Sequence, residues 1–247
     1  MWVDINAHLE LMSSPSDEVL KEAGLVGVSF IATGTHPDQW RWIEDKAPCV
    51  AFGLHPHHLT QKSDWLSILE DLLLRHQKSA IGEIGLDFRS GMPEQTAQIH
   101  AFESQLALAR SLDRAVIIHA VKSHNEVISL LKKVRCERFV IHAFTGSIDI
   151  ARAYLSLGGY LSAGGLMTRK PKPRALSVFQ SIPKDRILLE SDAPDLPIAG
   201  KREGSPAHLP LIGRVLAQEL ELSESALQLL CTRNAQTLFD YDFFQSN

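Results

Sequence analysis

The chain has 247 residues, 45% of them hydrophobic and 22% charged, a make-up that suits a globular protein able to bury a core. Its net charge of −4 excludes any global attraction to nucleic acid or anionic membrane, so a polyanion would have to be met by a local patch. Cys49, Cys136 and Cys231 form no CxxC pair and Met1–Ile5 carry no basic-then-apolar leader. No apolar run approaches the roughly 20 residues needed to span a bilayer, so the expectation is a cytoplasmic protein with no membrane partner.

Eight β-rich runs are expected, at Trp2–Ile5, Val28–Thr33, Val50–Leu54, Ala80–Ile84, Ala115–Ile118, Phe139–Ile141, Gly159–Ser162 and Arg186–Leu189. Several are continuous apolar runs, the pattern of strands covered on both faces. Helical patterning falls between them, at Asp17–Ala23, Pro37–Asp45, Lys62–Arg75, Pro93–Leu112, His124–Val134, Ile148–Leu157 and Pro173–Ser181. Further helical pieces run from Ala207 to Phe239, broken near Leu222-Ser223. Strict alternation over this length predicts an α/β fold, a single-domain (β/α)8 TIM barrel spanning residues 1–247. A doubly wound open sheet is the competing architecture. It usually carries a Gly-rich turn after its first strand, where this chain has Asn6-Ala7-His8-Leu9.

In a (β/α)8 barrel the C-terminal ends of the strands form the active face. Asn6 and His8 follow the first predicted strand, and His55, His57 and His58 follow the third. Glu83 ends the fourth with Asp87 beyond it, His119 ends the fifth, His142 the sixth, and Glu190 and Asp192 the eighth. A lone histidine at a strand end is more often hydrogen-bonded structure than a ligand. Five strand ends delivering His8, Glu83, His119, His142 and Asp192 to one rim instead predict a site for divalent metal, with zinc, manganese and magnesium all admitted.

Two other features bear on substrate. The only dense basic cluster, Arg169-Lys170-Pro171-Lys172-Pro173-Arg174, follows the seventh strand and is either a solvated loop or a phosphate-binding one. Trp40, Trp42 and Trp65 could stack bases, although Trp40 and Trp65 sit in helical patterns where packing is the expected role.

In order along the chain, Asp4–Leu9, Gly53-Leu54-His55-Pro56, Gly82-Glu83-Ile84-Gly85-Leu86-Asp87, Ile118-His119, Ile141-His142-Ala143-Phe144-Thr145-Gly146, Leu189-Glu190-Ser191-Asp192-Ala193-Pro194 and Thr232-Arg233-Asn234-Ala235 resemble the motifs of the TatD-type metal-dependent deoxyribonucleases of the amidohydrolase superfamily. The resemblance implies one or two divalent ions (Zn, Mn or Mg). The first would be held by the first-strand pair, Glu83 and Asp192, and the second by Glu83, His119 and His142. Glu83 and Asp192 would be the catalytic carboxylates. It also implies removal of nucleotides from DNA, single-stranded or at its ends, in the 3′-to-5′ sense, with His55 and Lys122 as candidate substrate contacts; Arg169, Lys170 and Lys172 are further candidates by the charge of their cluster.

The sequence departs from the family pattern where the first strand ends in His-x-His, since this chain has Asn6-Ala7-His8. An amide oxygen is a weaker donor to zinc than imidazole, so the first ion is expected to be loosely held, or to be magnesium or manganese, or to be lost. Val121 stands where an Arg is often found, with Lys122 next to it. Two rival readings follow: hydrolysis of a small amide or ester on the same scaffold, and a catalytically weakened member that binds nucleic acid or a protein.

Overall fold

The computed structural model describes residues 1–47, 49–59 and 64–243. Its strands are β1 (Trp2–Ala7), β2 (Val28–Gly34), β3 (Val50–Phe52), β4 (Ala80–Asp87), β5 (Val116–Val121), β6 (Phe139–Ile141), β7 (Tyr160–Ala163) and β8 (Ile187–Leu189). They pair in parallel in the order β1 to β8. The helices are α1 (Ser16–Leu25), α2 (Pro37–Ile43), α3 (Trp65–Arg75), α4 (Gln95–Ser111), α5 (His124–Val134), α6 (Ile148–Leu155), α7 (Ala175–Ser181), α8 (Leu209–Glu219) and α9 (Glu224–Phe239). This is the expected (β/α)8 barrel. Of the segment expected as helical from Lys62, residues 62 and 63 lie outside the described residues.

The sheet curls until its first and last strands meet. Beyond β8, the Asp192 N–H donates to the Asn6 carbonyl (3.1 Å) and the His8 N–H to the Ala193 carbonyl (2.7 Å). The closing seam thus runs through residues 6, 8, 192 and 193, at the rim where the candidate ligands lie.

Two apolar layers follow from the alternation of side chains along each strand. Val3 and Ile5, Ile31, Ala51, Ile117, Val140 and Leu188 belong to one buried cluster with Ala235, Leu238, Phe239 and Phe243. These strand residues fill the barrel, and the end of α9 with the segment after it closes the mouth opposite the ligand rim. Trp2, Phe30, Phe52, Ile118, Phe139 and Leu189 belong to the larger cluster shared with the surrounding helices. The predicted break near Leu222-Ser223 is the junction of α8 and α9, where the Ser223 hydroxyl accepts the Ala226 N–H (3.1 Å) as an N-cap.

β4 and β5 run three residues further than the apolar runs indicated, because Gly85, Leu86 and Asp87 pair with His119, Ala120 and Val121. The two backbones approach so closely that a Cβ on Gly85 would lie 2.0 Å from the His119 carbonyl oxygen, and Gly85 has φ +147°. Only glycine fits both demands. Gly85→Ala is therefore expected to lower the free energy of unfolding by at least about 2 kcal/mol, read from urea titrations of both proteins. An unchanged midpoint would show that β5 moves aside without penalty.

Candidate metal centre

The inward-facing series on each strand carries on past the apolar barrel layer and ends in a polar residue. Ala51, Gly53 and His55 form one such series; Ile117 and His119, Val140 and His142, and Leu188, Glu190 and Asp192 form three more. β1 and β4 need an extra device. The pairing register shifts between Asp4 and Ala7 on β1, and between Ile81 and Ile84 on β4. Such irregularities re-aim a side chain, and here they bracket Asn6 and Glu83.

Glu83 is the hub. Its Oε1 lies 2.9 Å from His119 Nδ1, 3.0 Å from His142 Nε2 and 3.1 Å from His55 Nε2. His119 Nδ1 and His142 Nε2 are themselves 3.0 Å apart. Three lone-pair atoms this close need a proton or a cation between them, and a small ion held at about 2.0–2.2 Å by N and O ligands suits that spacing. The far nitrogen of His119 lies 3.2 Å from Asp87 Oδ2, a carboxylate partner that fixes the ring and leaves Nδ1 for a ligand role. Burial by itself would raise the pKa of Glu83; the charge of His142 and the hydrogen bonds of His119, His142 and His55 reverse this and hold it well below the ordinary carboxylate range.

A second group shares Glu83. His8 Nδ1 is fixed on the Thr33 carbonyl (3.0 Å), so His8 Nε2 faces inward, 3.4 Å from Glu83 Oε2 and 3.6 Å from Asp192 Oδ1. Both His8 and His142 are pushed well above the usual imidazole pKa although burial opposes it, Asp192 and Glu83 being the chief causes at each. The pocket thus demands positive charge, as protons or as metal ions. Three sets of donors lie close enough to share an ion: His8 with Glu83 and Asp192, Glu83 with His119 and His142, and His55 with His57 and His119.

Asn6 lies between these carboxylates. Its Nδ2 donates to Glu83 Oε2 (2.8 Å) and to Asp192 Oδ1 (3.0 Å), while its Oδ1 is buried with no partner among the described residues. In this orientation the amide offers the first ion place a donor N–H, not the ligating carbonyl. Turning it over would aim the oxygen at two carboxylates, which is favourable only with a cation between them.

Among the other expected contacts, His55 is buried, and burial drives its pKa down to about 3. Its Nδ1 accepts the His57 N–H (3.2 Å), so its Nε2–H points at Glu83 and braces it. Lys122, Arg169 and Lys170 are exposed and do not line the cavity above the ligands. Lys172 pairs with Glu219 (2.5 Å) at the C-terminal end of α8, which Gln180 also reaches. Trp40 is fully buried and donates to the carbonyls of Gly34 and Gly53; Trp65 packs on the core, and Trp42 is exposed.

The cavity, of about 490 Å³, is lined by His8, His119, His142 and Asp192 at its floor and by Arg89 among others at its wall. Arg89 was not anticipated from sequence. Asp87 holds it through Nε (2.9 and 3.0 Å) and an Nη (2.5 Å), and also receives His57 Nε2 at 2.7 Å. Despite its burial, Asp87 is kept far below the usual carboxylate range by His119, Arg89 and His57. The available signal was Arg89 two positions past Asp87 on the same strand direction. Glu190 reaches the same rim; burial raises its pKa, and its Oε1 accepts the Ala143 N–H.

A parallel barrel with clustered imidazole and carboxylate donors at the C-terminal rim defines a metal-dependent hydrolase. A profile of the TatD related DNases matches residues 3–240, and the chain belongs to the TatD family. It is 32% identical to an uncharacterized metal-dependent hydrolase, YjjV, of Escherichia coli, over 97% of this chain and 98% of that one. It is 30% identical to the 3′-5′ ssDNA/RNA exonuclease TatD of Erwinia tasmaniensis, over 96% and 98% of the two chains. The crystal structure of E. coli YjjV superposes with a TM-score of 0.92, covering 98% of each chain at 29% identity.

If Asn6 weakens the first ion place, Asn6→His is expected to raise tightly bound zinc from about one towards two ions per chain, counted by elemental analysis after desalting. Equal counts in the two proteins would place residue 6 outside the coordination shell.

Proposed function

We propose that this protein is a divalent-metal-dependent exonuclease that removes nucleotides from the 3′ end of single-stranded nucleic acid, DNA in the first instance. The observation that carries this reading is the triangle of Glu83 Oε1, His119 Nδ1 and His142 Nε2, with edges of 2.9–3.0 Å, at the floor of a cavity with Arg89 on its wall. Relatives named as 3′-5′ ssDNA/RNA exonucleases support the choice of substrate. Glu83, His119 and His142 would hold one ion; His8, Glu83 and Asp192 would hold a second, weaker one beside Asn6. A divalent ion in these places supplies Lewis acidity, polarising a phosphoryl oxygen and making water a better nucleophile.

The chain's own residues do the rest. Asp192 Oδ1 lies 3.6 Å from His8 Nε2 and 3.7 Å from His142 Nδ1, facing the cavity, and takes the proton of the attacking water. Asp87 fixes the His119 ring and holds the Arg89 guanidinium rigid, so that one face of Arg89 neutralises the phosphate at little cost in side-chain entropy. His55 keeps Glu83 in place from the side. Lys122, Arg169, Lys170 and Lys172 have no part in the chemistry on this reading.

The test is a 5′-labelled single strand incubated with magnesium, manganese or zinc. A ladder shortened from the 3′ end is expected, reduced at least about 100-fold in Glu83→Gln. Arg89→Ala should raise KM about tenfold or more with a smaller change in kcat, the signature of a lost charged contact made in the ground state. Intact DNA beside turnover of a small ester or amide would favour the rival hydrolase reading. DNA binding without turnover of either would favour a weakened family member, with Asn6 as the cause.

A further inference from the structure

A trimming enzyme that works from the 3′ end must give the remaining 5′ part of the strand a way out of the cavity. Thr145 stands on the wall of the metal cavity and also on the wall of a second cavity, of about 570 Å³, that runs between α6 and α7. This groove is lined by Thr145, Gly146, Ser147, Arg152, Arg174 and Ser177 among others, with no acidic side chain in its lining among the described residues. On a chain of net charge −4, a groove carrying two guanidinium groups and no carboxylate is a local reversal of sign.

We propose that the α6–α7 groove is a phosphate-binding extension of the metal cavity, occupied by the sugar–phosphate backbone of a polynucleotide on the 5′ side of the bond to be cut. This rests on the nuclease reading and adds the path of the strand. The donors support it. Arg174 makes no ion pair among the described residues, and Arg152 has only an exposed contact with Asp149 at 3.8 Å, too weak to hold it back from a ligand. The Ser147 hydroxyl accepts the Ile150 N–H (3.4 Å) and keeps its own proton to donate. The Thr145 hydroxyl, and the N–H groups of Thr145, Gly146 and Ser147, have no acceptor among the described residues. A Cβ on Gly146 would lie 2.8 Å from the Phe144 ring, so the backbone passes low over that ring. Ser177 and Ser181 contribute less, because their protons go to the carbonyls of Arg174 and Ser177.

These groups match phosphate oxygens and read no base edge. The groove would therefore bind strands without regard to sequence, and with a strong dependence on salt. Arg174 also gives the basic cluster of residues 169–174 a role for one of its members, where Lys172 is already paired with Glu219.

The experiment compares the wild type with an Arg152→Ala/Arg174→Ala double variant on oligothymidylates from two to twelve nucleotides and on bis(4-nitrophenyl) phosphate. Both arginines are exposed, so folding should be intact, and thermal melts check this; Arg174→Gln alone serves if the double variant is unstable. The expected result is a KM that falls with length in the wild type. In the variant KM should rise at least about tenfold for the 12-mer, and the salt slope of log KM should be smaller by about 1.4, two cations at roughly 0.7 each. The dinucleotide and the small phosphodiester should be turned over unchanged. Equal length and salt dependence in the two proteins would overturn the groove. If the wild type cuts no oligonucleotide, the nuclease reading fails, and the groove is judged by binding of fluorescein-labelled (dT)12: weaker binding by the variant retains it, and equal binding removes it.

Discussion

Glu83 is a carboxylate almost wholly withdrawn from water, 2% exposed, and the arrangement of the upper barrel is the solution to holding its charge there. An isolated buried carboxylate costs several kcal/mol unless it is matched. Three imidazoles meet one of its oxygens, and the Asn6 amide and His8 meet the other. Three of the four histidines are in turn positioned from elsewhere: His8 by Thr33, His119 by Asp87 and His55 by the His57 backbone. The same balance favours a cation, since His8, His119 and His142, which neutralise Glu83, are also grouped with it as metal-ligand types.

The barrel explains how so many donors reach one carboxylate. Below the rim, inward positions are apolar and make a packed interior; above it, the same two-residue period places histidine or acid on the same inner face. Where the period alone would misplace a side chain, on β1 and β4, the register slips. Packing below and chemistry above are two stretches of one set of strands, and the rigidity of the first is what gives the second its geometry.

Much of this was legible in the sequence, because it depends on short-range pattern. Eight apolar runs alternating with amphipathic segments, without the Gly-rich turn of a doubly wound sheet, pointed to the barrel, and the residues just after those runs were the ones that converge: His8, Glu83, His119, His142 and Asp192. What was hidden depends on contacts across the chain. The lengthening of β4 and β5 comes from their pairing with each other, not from any apolar run. The Asp87–Arg89–His57 group joins the end of β4 to the turn after β3, a contact that no local pattern encodes. The orientation of the Asn6 amide is set by carboxylates 77 and 186 positions away. The state of the basic cluster depends on such contacts too: its charge was plain, but Lys172 is paired with Glu219, on a distant helix.

The seam between the first strand and the residues after the last has a consequence for the order in which the molecule is made. Glu83, His119 and His142 lie in the middle third of the chain, yet the wall that holds them is not continuous until Ala193 is beside Ala7. Loop closure over so long a separation is a late and costly event in assembly. A polypeptide that stops short of Asp192 thus carries His8, Glu83, His119 and His142 but lacks both the Asp192 carboxylate and the contacts that close the seam.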